Sequence, residues 1–241
     1  SQICCCHSLL LAATLWMGPH TGAAVLSNST APLSVSRAGA ETHFWMLPRV
    51  RYKRAISSGE MNALLEYHNQ VRSQVFPPAA NMELMLWDER LATSADSWAS
   101  QCIWDHGPPQ AMKYMGQNLS VSTGRYLSIT ELVRSWYVER HHFSYPNRCS
   151  GSVCSHYTQM VWASTNRVGC AIRRCPSMNV FGSTWREATL LVCNYATKGN
   201  WVGEAPYRSG TPCSVCPSSY SGSCWRNLCS PNTKSKRLMT Y

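Results

Sequence analysis

"HYTQMVWASTNRVGC", residues 156–170, sets one histidine among aromatic and large apolar side chains, two positions after Cys154. His156 is either a reactive group or one more packed ring, and the residue alone does not choose. The stretch ends in a strand-like run, "VGCAIRRC" (168–175), and a second such run, "ATLLVCNYA" (188–196), follows. Between them "MNVFGSTWRE" (178–187) places apolar residues around Gly182 and reads as a hairpin turn with loose ends.

Upstream the period changes from two to that of a helix. Ser57-x-x-Glu60 is a capping box, after which Met61, Leu64, Leu65, His68 and Val71 keep helical spacing until Pro77 and Pro78. A second helix is expected over Asp88 to Cys102, with Leu91, Ala95, Trp98 and Cys102 along one face. A third starts at the capping box Ser128-x-x-Glu131 and presents Leu132, Val133, Trp136 and Tyr137. Helices first and strands later point to an α+β fold rather than alternating α/β.

The chain has 241 residues, 44% hydrophobic and 14% charged, with a formal charge of +10. The basic residues are mostly scattered singly, with no polybasic stripe interleaved with aromatics, which speaks against nucleic acid as a partner. A basic surface suits acidic partners such as glycosaminoglycans. No apolar stretch reaches the ~20 residues that span a bilayer, so no transmembrane segment is expected. Residues 1–24 read as a secretory signal peptide: an apolar run from Leu9 to Met17, then small residues. Residues 25–54 read as a propeptide. It carries a glycosylation sequon at Asn28 and ends in Arg51, Lys53 and Arg54 of "RYKR", the pattern cut by furin-type convertases. The protein is therefore expected outside the cell.

Of 13 cysteines, three fall in the signal segment. The remaining even count, in a secreted chain, predicts five disulfides. A zinc ribbon on Cys213, Cys216, Cys224 and Cys229 is the rival reading for the last four. The Ser/Pro/Gly-rich segment "TPCSVCPSSYSGSCWRNLC" favours cross-links, because a piece this small buries no core of its own.

The polar groups able to carry chemistry are His106 in "CIWDHGP", Gln117 in "YMGQNLS", Glu139 in "SWYVERHH" and His156. Taken singly, each histidine reads more readily as a satisfied structural residue. His141 and His142 read as solvated helix-end residues and His68 as a helix-face residue. The chain has no GxGxxG, no P-loop and no Gly-x-Ser-x-Gly elbow.

Together "HYTQMVWASTNRVGC", "LLVCNYATKGNW", "GQNLS" and "CIWDHG" resemble the CAP superfamily (cysteine-rich secretory proteins, antigen 5, pathogenesis-related 1) over roughly residues 57–206. More narrowly, "YHNQVRSQVFPPAANMELMLWDERLA" and "GTPCSVCPSSYSGSCWRNLC" resemble the peptidase inhibitor 15 group of secreted trypsin inhibitors. The resemblance implies a domain over 55–206, followed by a cysteine-rich, hinge-like tail over 207–241. It implies an α-β-α sandwich around a three-stranded antiparallel sheet, with the opening stretch a short helix leading into a strand. Helical spacing then puts His156, Gln159 and Met160 on a shared side. It also implies the pairs Cys102–Cys175, Cys170–Cys193, Cys213–Cys224 and Cys216–Cys229, which leaves Cys149 with Cys154.

The family cleft gathers two histidines and two acids. His106, Glu139 and His156 match it, whereas "GQNL" puts Gln117 where the family has an acid. The amide keeps size and hydrogen-bonding capacity but removes a charge. Zinc bound through His106, Glu139 and His156 is then expected to be weak, no cofactor is required, and a paired-carboxylate enzyme mechanism is not expected. The segment "PNRCSGSVC" is shorter than the loop of close relatives, which puts lipid binding in doubt. The sequon at Asn118 predicts a glycan at the cleft mouth. The leading functional expectation is a secreted inhibitor of trypsin-like serine proteases, using an exposed arginine such as Arg125, Arg148 or Arg208. The alternative is a non-enzymatic binding module for a sterol, lipid, glycan or extracellular-matrix partner.

Overall fold

The structure, a computed structural model, describes residues 56–124, 127–220 and 222–231. The expected signal peptide and propeptide, Asn28, Arg51, Lys53, Arg54, Arg125 and the last ten residues lie outside the described residues. The elements in chain order are α1 (Ser58–Ser73), β1 (Leu86–Trp87), α2 (Glu89–Ala99), α3 (Pro109–Met112), β2 (Gly116–Ser122) and α4 (Ile129–Tyr137). A 3₁₀ turn (Val138–His142) leads to β3 (Phe143–Ser144), β4 (Arg148–Cys149), α5 (Ser155–Met160), β5 (Arg167–Val180) and β6 (Ser183–Ala196). The small strands β7 (Cys224–Trp225) and β8 (Leu228–Cys229) close the described chain.

Both capping boxes form. The Ser57 and Ser128 hydroxyls accept the backbone N–H of Glu60 and Glu131, whose carboxylates reach back to the cap N–H. The second helix is shorter than its pattern. Asp88 caps it from outside, accepting from the N–H groups of Arg90 and Leu91. Cys102 lies beyond its end at a positive φ of 54°, bridged to Cys175 on β5. The hairpin has no loose ends. β5 and β6 stay paired out to Val180 and Ser183, and Phe181 and Gly182 (φ 51° and 83°) make a two-residue turn of the kind that matches strand twist.

The sheet has the order β1-β5-β6-β2. Its three long strands are antiparallel, as expected. The fourth, β1, is a correction: two residues run parallel to β5, with Leu86 opposite Arg167. Strand alternation sorts the side chains onto two faces. Val168, Cys170, Leu191, Cys193 and Tyr195 join one core with Leu64 of α1, Leu132 and Trp136 of α4 and Met160 of α5. Ala171, Leu190 and Val192 join a second core with Ala95 and Ala99 of α2. Helices thus cover both faces, giving the expected α-β-α sandwich. At Gly169 the α2 backbone lies directly on the strand, and a Cβ there would stand 2.2 Å from the Ala92 nitrogen.

All five implied disulfides form: Cys102–Cys175, Cys149–Cys154, Cys170–Cys193, Cys213–Cys224 and Cys216–Cys229. The Sγ atoms of Cys213, Cys216 and Cys229 lie within 4.8 Å of one another, the one metal-like cluster among the described residues. All three sulfurs are spent in disulfides, which removes the zinc-ribbon reading.

The tail is not a separate appendage. Cys229 N–H donates to the Met82 carbonyl at 2.7 Å, and its own carbonyl accepts from Leu84 at 2.8 Å. Val215 N–H donates to the Ala80 carbonyl and Gly210 N–H to the Pro78 carbonyl. Leu228 and Tyr207 are buried in the core of α1 and α4. The tail gains a hydrophobic core by borrowing the main domain's, in addition to its cross-links.

Candidate functional site

Gln117 and Asn118 are neighbours on the edge strand β2, so their side chains leave on opposite faces of the sheet. Each anchors one histidine of the expected cleft.

On the first face the Gln117 amide is used at both ends. Its Oε1 accepts from the Gly107 N–H at 3.0 Å and sits 3.1 Å from His106 Nδ1. Its Nε2 donates to Asn194 Oδ1 at 2.9 Å. An oxygen that already accepts from Gly107 also accepts from His106, so Nδ1 carries the imidazole proton. The lone pair of a neutral His106 is left on Nε2, which has no partner among the described residues.

On the second face Glu139, in the 3₁₀ turn after α4, reaches the first turn of α5. Its Oε1 lies 2.6 Å from His156 Nδ1, and its Oε2 accepts the N–H groups of His156 (3.0 Å) and Tyr157 (3.1 Å). His156 Nδ1 is again the protonated nitrogen and Nε2 the open one. The Trp136 ring runs parallel to the imidazole, with centroids 6.5 Å apart. The side chains of His156 and Glu139 are 21% and 11% exposed, so the pair sits at a wall rather than in the interior.

Both Glu139 oxygens contact α5, so the carboxylate orients His156. Consistently, the donor atoms of His106, Glu139 and His156 do not form a set within 4.8 Å among the described residues. Asn118, expected to carry a glycan, is 2% exposed. Its Nδ2 donates to the His156 carbonyl at 3.0 Å and to the Tyr195 hydroxyl at 3.4 Å. The nitrogen of the expected glycan site is thus a buried donor in this fold.

Behind the cleft lies a buried polar relay that motif reading missed. His68 Nδ1 faces the Leu64 carbonyl at 2.8 Å and its Nε2 faces the Tyr195 hydroxyl at 2.9 Å. Burial lowers His68 to about 4 and pushes the Tyr195 hydroxyl well above its ordinary range, so both are neutral near pH 7. The orientation follows. His68 donates to Leu64, Tyr195 donates to His68, and Asn118 donates to Tyr195. Arg72, 1% exposed, donates to the carbonyls of Glu83, Met160, Trp162 and Ala163, which fixes the chain just past α5. The sequence held one signal for this. Leu64, His68 and Arg72 share a helical face at intervals of four, so polar residues stand inside an apolar stripe.

The sequence profile of the cysteine-rich secretory protein family (CAP) matches residues 65–195. The chain belongs to the CAP family. Among CAP relatives, Peptidase inhibitor 15 of Homo sapiens is 59% identical over 205 residues, covering 81% of this chain and 80% of the relative. Peptidase inhibitor R3HDML of Mus musculus is 55% identical over 239 residues, covering 93% of each. Among solved CAP structures, NaASP2 with Zn2+ superposes with a TM-score of 0.60 at 26% identity, covering 74% of this chain and 98% of that one. Na-ASP-1 also gives 0.60, at 23% identity over 74% of this chain and 48% of that one. In this CAP domain His106 and His156 each have one ring nitrogen held by a side chain of β2 or the 3₁₀ turn, and the other left open.

Proposed function

We propose that the protein is a secreted, non-enzymatic CAP-domain inhibitor of trypsin-like serine proteases. The identity to relatives named peptidase inhibitors supports the inhibitor reading. The geometry that supports a non-catalytic cleft is the commitment of its carboxyl and amide groups. Glu139 is held by three donors, and Gln117 has no charge and no spare polar atom. At the position where the family has its second acid this chain has Gln117, which cannot share acid and base work with Glu139. If a divalent metal binds at either histidine, the open Nε2 is the atom to hold it, with Gln117 supporting His106 and Glu139 supporting His156.

The test is titration of trypsin with the secreted protein beginning at Ala55, intact and with disulfides reduced. Saturable inhibition lost on reduction supports the reading. No inhibition at micromolar excess turns it toward the binding-module alternative. That second reading has its own observation, an open groove of about 410 Å3 lined by Phe143, Trp162, Trp201 and Pro206 among polar residues. Sterol extraction by the purified protein tests it.

A further inference from the structure

We propose that the β3–β4 ribbon is the protease-binding surface, with Arg148 the side chain that enters the acidic specificity pocket of a trypsin-like enzyme. This rests on the inhibitor reading above and assigns it a contact.

The ribbon is short but held on three sides. Phe143 pairs opposite Cys149, and both are anchored to the body: the Phe143 ring meets Tyr157 at 5.7 Å between centroids, and Cys149 is bridged to Cys154. Between the strands, Asn147 donates to the Gly203 carbonyl at 3.0 Å, and Tyr145 donates to the Tyr207 carbonyl at 3.2 Å while its ring lies on Tyr207. Alternation then sends the next pair, Ser144 and Arg148, to the opposite face, and both are exposed. A contact on such a pre-ordered segment loses little conformational entropy on binding.

Arg148 is also uncommitted. No hydrogen bond or ion pair engages its guanidinium among the described residues. Arg174 and Arg226 pair with Glu187 and Glu66, and Arg140 stacks on the Tyr137 ring. Arg208, another arginine singled out in the sequence, has its backbone pinned to Asn81 and Ala80 where the tail crosses the body. A carboxylate at the base of a narrow pocket is the complement of a free, projecting guanidinium, which it binds in a two-pronged pair. The groove of about 410 Å3 that includes Phe143, Asn147 and Cys149 runs beside the ribbon and leaves room for the loops that rim such a pocket.

The backbone adds a restriction. Ser150 N–H donates to the His142 carbonyl at 2.8 Å, so in the alternating antiparallel ladder Ser144 and Arg148 are the next hydrogen-bonded pair. The Arg148 N–H and C=O are thus turned toward β3. The ribbon offers the protease a side chain and withholds the peptide bond after it.

The test measures trypsin inhibition constants for the secreted protein, Arg148→Ala, Arg148→Lys and Arg208→Ala, and chymotrypsin inhibition for Arg148→Phe. Thermal unfolding of each verifies the fold. Arg148→Ala is expected to weaken inhibition about a hundredfold and Arg148→Lys far less. Arg208→Ala should leave inhibition unchanged, and Arg148→Phe should gain inhibition of chymotrypsin. N-terminal sequencing of the complex should find the chain intact after Arg148. A wild-type protein that inhibits as well as Arg148→Ala overturns the ribbon and leaves the inhibitor reading in place. Rapid cleavage after Arg148 makes it a substrate site and likewise overturns the ribbon alone. A wild-type protein that does not inhibit trypsin overturns both.

Discussion

Glu139 holds His156 twice: one carboxylate oxygen lies 2.6 Å from the ring nitrogen Nδ1 and the other accepts the residue's own backbone N–H at 3.0 Å. Ring and helix are therefore oriented by one group. Glu139→Gln keeps the shape but removes the charge from both contacts, and is expected to destabilise the protein by about 1–2 kcal/mol. Glu139→Ala, which strands the donors, should cost about 3 kcal/mol. Urea denaturation of the three proteins measures the order.

Gln117→Glu separates the two roles of the amide. A carboxylate there still accepts from His106 and Gly107, but its second oxygen faces Asn194 Oδ1 where an N–H now donates. The metal-free variant should be less stable by about 1–3 kcal/mol at pH 8. Its zinc affinity should rise about tenfold, because a charged support makes the His106 ring a better ligand. Calorimetric zinc titration checks the second point. An unchanged isotherm means that His106 is not a ligand of the ion.

Stability should fall in mild acid through His68. Burial holds its folded-state value at about 4, whereas the unfolded chain takes up the proton near the ordinary value of 6.5. Between those values the unfolded state binds more protons, so stability is full above the window and drops as pH falls through it. The loss from this group approaches roughly 3 kcal/mol by pH 4. His68→Gln should flatten the slope between pH 6.5 and pH 4, as read from denaturation midpoints.

Leu228 tests whether the tail is structural. Its side chain is fully buried in the core shared by α1 and α4. Leu228→Ala should cost about 3 kcal/mol, the loss expected of a core leucine rather than of one in a loose appendage. A chain ending at Pro206 should fail to give a cooperative thermal transition.

What could be read in advance was what is local. Ser57 with Glu60, and Ser128 with Glu131, announce helix starts because the cap is satisfied within four residues. The unbroken apolar run around Leu190 and Leu191 announces a strand buried on both faces, because two helical layers need both sides. β1 was hidden because it is two residues long and its partner strand begins at Arg167, far along the chain. The burial of Asn118 was hidden for a related reason, since a tripeptide carries no record of its surroundings. His106, Gln117, Glu139 and His156 were legible as cleft residues only through family resemblance. The division of labour between Glu139 and His156 appeared only when α5 was seen resting on the carboxylate.

The seam between Cys229 and the chain at Met82 to Leu84 bears on how the protein is made. Residues 82–84 and Cys229 are far apart in sequence, so the seam closes a long loop and forms only once the C-terminal segment is in place. Leu228 belongs to the same buried core as Leu64 and Val71 of α1, so that core is incomplete without it. The cross-links of Cys213 with Cys224 and of Cys216 with Cys229 hold that segment in the shape the seam requires.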